Sequence, residues 1–269
     1  MAKTPSRPAS KKSRSPKADP ASVPVSASTS DMIRVGGPAV PVLRDGDTTL
    51  VVDRPYVMRD RTIDADEIYF VEDAKPKEGP WLGEADKVAW RDAATGYECI
   101  MMRSTDGGYL GGYVGVPSLH PLYRFDHEAL PQDLGIEVHG GLTYSEVCED
   151  GPTPERQIRR EAHRICHAPA GAVRFDPTVH ATGYRVQDAH AWWFGFECNH
   201  LYDLVPGNDP LVARFMEAEV GTVYRDDAYV VTEILNLAAQ LRAVEDGMPM
   251  PPREGPPLPP IGLEPDQGG

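Results

Sequence analysis

Along the middle of the chain, apolar and polar side chains alternate with the two-residue period of half-buried strands. Residues 87–91, 97–103 and 109–116 read as three successive strands, parted by DAATG and STDGG, whose Asp and Gly suit tight turns. Shorter candidates precede them at 39–43, 48–53 and 67–71, the first two joined by RDGD. Between these groups lies the loop KPKEGPWLG, with Trp81 as its anchor into the core. Pro117 and Pro121 then impose an irregular loop, since neither can donate to an inner ladder. A further strand is expected at 136–145, with Gly140 and Gly141 marking a bulge or a close approach of backbone or ligand. The densest apolar run is AWWFGFECNH at 191–200. As a strand it places Trp192, Phe194, Phe196, Cys198 and His200 on one face, and Trp193, Glu197 and Asn199 on the other.

Three stretches carry the helical period instead. TPERQIRREAHRICH, 153–167, opens with a Thr cap, Pro at the first helical position and Glu in the first turn. Pro210–Glu219 and residues 227–244 follow; in the last, Val230, Ile234, Leu237, Ala238 and Leu241 form an apolar stripe, with Glu233, Asn236 and Gln240 facing out. The pattern predicts an α+β fold: an antiparallel or mixed sheet of about six strands, packed by a long C-terminal helix and shorter helices.

Composition trims the ends. Residues 1–30 hold six basic and one acidic side chain and no aromatic residue, which predicts a disordered basic arm over 1–39. Eight prolines in 247–269 predict a disordered, extended tail, leaving 40–246 as one domain. The whole chain carries −14, so the part after residue 30, with 21 basic against 40 acidic residues, carries −19. An acidic body argues against nucleic acid as a partner of the domain, although the basic arm could touch it. No apolar segment follows the basic residues, and no run of eighteen apolar residues occurs, which predicts an intracellular chain without a membrane partner. Four cysteines without a CxxC pair are expected as thiols or ligands rather than disulfides.

Candidate chemistry gathers near the central strand. His139, His200 and Asp203 are the candidate catalytic set, as a base with an orienting acid; Glu197 and Glu146 are rival acids. The candidate metal set is Cys198, His200 and His139, with Cys148, Cys166 and His167 as further donors and zinc as the possible ion. Gly140 and Gly141 offer backbone N–H groups to an anion, and Tyr113, His120 and Arg160 complete the candidate ligand-binding set. Arg160 belongs to a cluster with Arg156, Arg159 and Arg164, which reads either as a solvated face or as an anion-binding helix. Burial of these Cys and His groups in the core is the alternative to any site.

The succession GGYVGVPSLHPLY, VHGGLTYSEVC, ICHAP, WWFGFECNHLYDLVP and YRDDAYVVTEILNLAAQL resembles a family of uncharacterised proteins of bacteriophage and bacterial genomes, from about Trp81 to Leu241. The resemblance implies a phage or bacterial origin and a place in the bacterial cytoplasm, and implies nothing about chemistry. It sets Tyr113, His120, His139, Cys166, His167, Cys198, His200 and Asp203 inside motifs. The expected function is a small-molecule or nucleotide-processing hydrolase with a His/Cys/Asp pocket. A non-catalytic binding protein acting on a host molecule or host protein is the alternative.

Overall fold

The structure, a computed structural model, describes Met1 and residues 42–147, 158–167 and 191–261. Those from 42 onward belong to one compact unit. The basic arm and the first five residues of the 153–167 helix expectation lie outside the described residues.

The fold is α+β, with three α-helices and an eight-stranded sheet of order β1-β2-β3-β4-β5-β6-β8-β7 among the described residues. The strands are β1 (Leu43–Asp45), β2 (Thr48–Val57), β3 (Thr62–Val71), β4 (Lys87–Arg91), β5 (Glu98–Arg103), β6 (Leu110–Val116), β7 (Tyr144–Val147) and β8 (Trp192–Glu197). All neighbours pair antiparallel, which removes the mixed alternative. The count exceeds about six, and the two edge strands, of three and four residues, lie later in the chain than the candidates at 39–43 and 136–145.

Helix α3 (Asp227–Asp246) lies on one face. Its Val230, Ile234, Leu237 and Leu241 are fully buried with Val114 and Val116 of β6 and Phe194 and Phe196 of β8. Burying side chains of this size stabilises by about 1.5–3 kcal/mol each. A Cβ on Gly112 would sit 2.5 Å from Ile234 Cγ1, so glycine there admits the helix to the sheet. Trp193 faces the other way and packs with Ala89, Ile100 and Tyr113, as strand alternation requires.

Three expectations change. Glu233, Asn236 and Gln240 are buried rather than outward. Gln240 exchanges two hydrogen bonds with the Glu137 backbone, Asn236 exchanges two with the Glu254 backbone, and Arg253 pairs with Glu233. The start of the proline-rich segment is therefore tied along α3 through the Glu254 backbone and the Arg253 side chain. The strand expected at 136–145 shrinks to β7, and the glycines form a turn closed by Gly141 N–H to Val138 O. Finally, Cys166 is disulfide-bonded, while Cys99 and Cys198 are free and buried.

Only a short helix, α1 (Ile158–Glu161), occurs in the described part of 153–167. It packs Ile158 and Ala162 on Leu50 and Tyr69, and the buried Lys87 amine donates to the Glu161 and Arg164 carbonyls. No helix among the described residues is long and apolar enough to cross a membrane.

Candidate functional site

The sheet delivers three loops to one end of α3. The chain leaving β8 carries Cys198, His200 and Asp203; the loop before β7 carries His139; the entry to α3 carries Arg225 and Tyr229. A parallel bridge between Asp203 and Val223 brings the first and last together, with Leu204 N–H bonded to Val223 O.

His139 is wholly enclosed. Its Nε2 lies 2.7 Å from Asp203 Oδ2 and its Nδ1 2.8 Å from the Tyr229 hydroxyl. A carboxylate only accepts, so Nε2 carries a proton toward Asp203, and Nδ1 shares a hydrogen bond with the Tyr229 hydroxyl. Asp203 is the hub. Its Oδ2 also accepts from the His200 N–H at 2.9 Å, and its Oδ1 accepts from Arg225 Nε at 2.8 Å. Burial pushes the carboxyl upward, but hydrogen bonds from His139, His200 and Arg225 outweigh it and hold Asp203 well below the carboxylate range.

His200 is the member that reaches outward, with its side chain 24% exposed against 0% and 1% for His139 and Asp203. Its ring centroid stands 5.3 Å from that of His139. Its Nδ1 lies 3.5 Å from Asp203 Oδ2 and has no hydrogen-bond partner. The ring edge packs on Gly140, where a Cβ would come within 2.0 Å of His200 Cε1. Beside it opens a pocket of about 250 Å³, lined by His200, Asp203, Asn199, Asn208, Thr222 and Met216 among others, with no Lys or Arg among the described lining residues. Met216 belongs to α2 (Pro210–Glu219), a helix capped by Asp209 that exposes Leu211 and Phe215.

A second layer holds this arrangement. Arg103, 1% exposed, donates to Asp86 at 2.9 Å, to Glu84 at 2.8 Å and to the Gly108 carbonyl at 2.7 Å. Glu84 accepts from Tyr224 and from the Asp227 N–H, and Asp227 accepts from Tyr56. Residues 224 and 227 are thus fixed on both sides of Arg225, which leaves its guanidinium aimed at Asp203.

The expected site residues separate accordingly. His139, His200 and Asp203 come together, with one donor atom from each within 4.8 Å of the others. Cys198 is not in that cluster; it packs in the main core, 2% exposed, and burial pushes its thiol up, with Asp203 adding to the rise. Gly140 serves as the seat of the His200 ring, and the Gly141 N–H closes a turn onto the Val138 carbonyl. Tyr113 lies on the opposite sheet face against Tyr144. His120 bonds the Leu241 carbonyl, twelve residues or about 18 Å along α3 from Tyr229. Arg160 is exposed on α1, which borders β1 and β2 at the other edge of the sheet order. Its neighbours are engaged locally, Arg159 with Asp47 and Arg164 with Glu161. Glu197 points to the far face and meets Tyr109. Tyr229 and Arg225 lie inside YRDDAYVVTEILNLAAQL, but nothing in that stretch marks them as site residues; only the fold brings them to His139 and Asp203.

Zinc suits three His and Asp ligands with an open fourth position. Here the 2.7 Å His139–Asp203 contact is a hydrogen bond, and both Asp203 oxygens are already engaged, so an ion would have to break that pair. As arranged, the residues fit a His–Asp relay better than a metal centre. A second set of donors, Asp66, Glu98 and His167, lies elsewhere on the sheet.

No family model, no curated protein and no solved structure matches the chain.

Proposed function

We propose that the protein is a hydrolase of a small, polar, uncharged molecule, working from the pocket beside His200. The observation that carries this reading is the convergence of His139 from one loop with His200 and Asp203 from another at the mouth of that pocket. His200 is the group that takes the proton from an attacking water. Asp203, kept ionised, holds the His200 backbone at its N–H; His139, braced by Tyr229, and Arg225 fix Asp203 in turn. A volume of about 250 Å³ and the absence of Lys or Arg among its described lining residues favour a small molecule over a nucleotide. The phage or bacterial origin and cytoplasmic place implied by the resemblance belong to the same proposal.

A second reading is a binding protein that holds its ligand without turnover. The Arg225–Asp203 pair favours it, because both Asp203 oxygens are already taken by structural partners. The deciding experiment compares wild type with His200→Gln on p-nitrophenyl esters of short acids. The hydrolase reading expects turnover that falls by about 10²–10⁴ in the variant with its fold intact. Equal rates in both proteins refute it, and a stoichiometric, unaltered small molecule in native mass spectra establishes the binder.

A further inference from the structure

Asp66 of β3, Glu98 of β5 and His167 converge on the sheet face that carries α1. His167 Nε2 stands 3.1 Å from Asp66 Oδ2 and 3.6 Å from Glu98 Oε2, and the three donor atoms lie within 4.8 Å of one another. The His167 side chain is only 1% exposed, and its Nδ1 has no hydrogen-bond partner. Glu98 Oε2 is buried and has none either. The nearest cation to Glu98, Arg91, is 62% exposed and approaches the other carboxylate oxygen, at 3.7 Å. Glu98 Oε2 is thus buried beside the His167 ring with no partner among the described residues, a situation native interiors avoid, while His167 Nε2 bonds Asp66 Oδ2.

A cation held by His167 Nε2, Asp66 and Glu98 satisfies the Glu98 oxygen, taking the place of the His167–Asp66 hydrogen bond. Ligands about 2.1 Å from a tetrahedral zinc ion stand about 3.4 Å apart, and the 3.1 and 3.6 Å separations bracket that edge. With Nε2 on the ion, Nδ1 carries the proton on the side of Glu67 Oε2, which at 3.9 Å would have to close in to orient the imidazole as an outer carboxylate does. One imidazole with two carboxylates selects zinc or a similar transition ion over magnesium or calcium, which prefer all-oxygen shells. Cys166, the adjacent residue, is disulfide-bonded and supplies no thiolate. The site is also built in advance, since Lys87 already fastens the Glu161 and Arg164 carbonyls just before His167.

We propose that Asp66, Glu98 and His167 bind a divalent transition-metal ion of the zinc class, which clamps the 158–167 segment to β3 and β5. The site is independent of the His200 pocket and does not rest on the hydrolase reading.

The test is metal uptake by the untagged full-length protein after chelation, with zinc measured by elemental analysis and cobalt by its visible spectrum. Wild type, Glu98→Gln, Asp66→Asn and His200→Gln are compared, with circular dichroism reporting the fold. One equivalent of ion is expected in wild type and in His200→Gln, with intense four-coordinate cobalt bands. Affinity should fall at least tenfold in Glu98→Gln and Asp66→Asn. The Asp66 side chain is 39% exposed, so its variant decides if Glu98→Gln does not fold. No ion taken up by wild type, or equal uptake by the folded carboxylate variants, overturns the proposal.

Discussion

Gly140 and Gly141 form a matched pair for testing whether the His200 ring is held where the site requires it. Both have left-handed backbones, φ 65° and 84°, so alanine at either costs about 1–2 kcal/mol in backbone strain. Their surroundings differ. A Cβ on Gly141 meets nothing within 4 Å, whereas one on Gly140 falls 2.0 Å from His200 Cε1 and 2.3 Å from Nε2. Ordinary contact begins near 3.4 Å, so the imidazole would have to retreat by about 1.4 Å. Overpacking of this kind costs about 1–3 kcal/mol, and the lower half applies because a ring 24% exposed can swing partly into the pocket. Gly140→Ala should therefore be less stable than Gly141→Ala by about 1–2 kcal/mol in urea unfolding. It should also lose most ester turnover, as His200 moves from its place beside Asp203, while Gly141→Ala retains it. Stabilities within about 0.5 kcal/mol of each other would refute the packing of His200 on Gly140, since the backbone term cancels between the variants.

Two further outcomes test the framework. Leu122 N–H donates to His120 Nδ1, so Nε2 bears the proton toward Leu241 O, and burial lowers the ring below its usual 6.5. The unfolded chain then takes up a proton that the folded one refuses. Stability is full above about 6.5 and falls as pH drops through it, by up to about 1.4 kcal/mol per unit. His120→Gln should flatten the urea stability profile between about pH 7.5 and 5.5; an unchanged slope counts against this assignment. Arg103→Met leaves Glu84 and Asp86 buried without their main cation, although Lys75 still reaches Asp86 at 2.6 Å. A loss of about 3–5 kcal/mol is expected, and a loss below about 1 kcal/mol would show that the network carries little of the fold.

Much of the architecture was legible because it rests on local period. The alternation of 191–200 places Phe194, Phe196 and Cys198 toward the helix and Trp193 away from it, and the stripe on α3 meets that same face. The helix starts are closed by side chains, as Asp226 and Asp209 accept from the first-turn N–H groups of α3 and α2. Less legible were the short edge strands, and the loop at 136–143, where two glycines suit a bulge and a turn equally well.

The sequence by itself determined which elements form and which side chains are chemically capable, because strand and helix periods are set by neighbours two to four residues apart. It singled out His139, His200 and Asp203 as types. Tertiary structure decided that they meet, since 64 residues separate His139 from Asp203 and only the pairing of β8 between β6 and β7 closes that distance. Packing also decided that Cys198 is core, that Arg225 and Tyr229 join Asp203 and His139, and that Glu233, Asn236 and Gln240 lie beneath later and earlier chain. Polarity along a helix reports what a residue can bond to. Which segment arrives to bond it is a property of the whole fold.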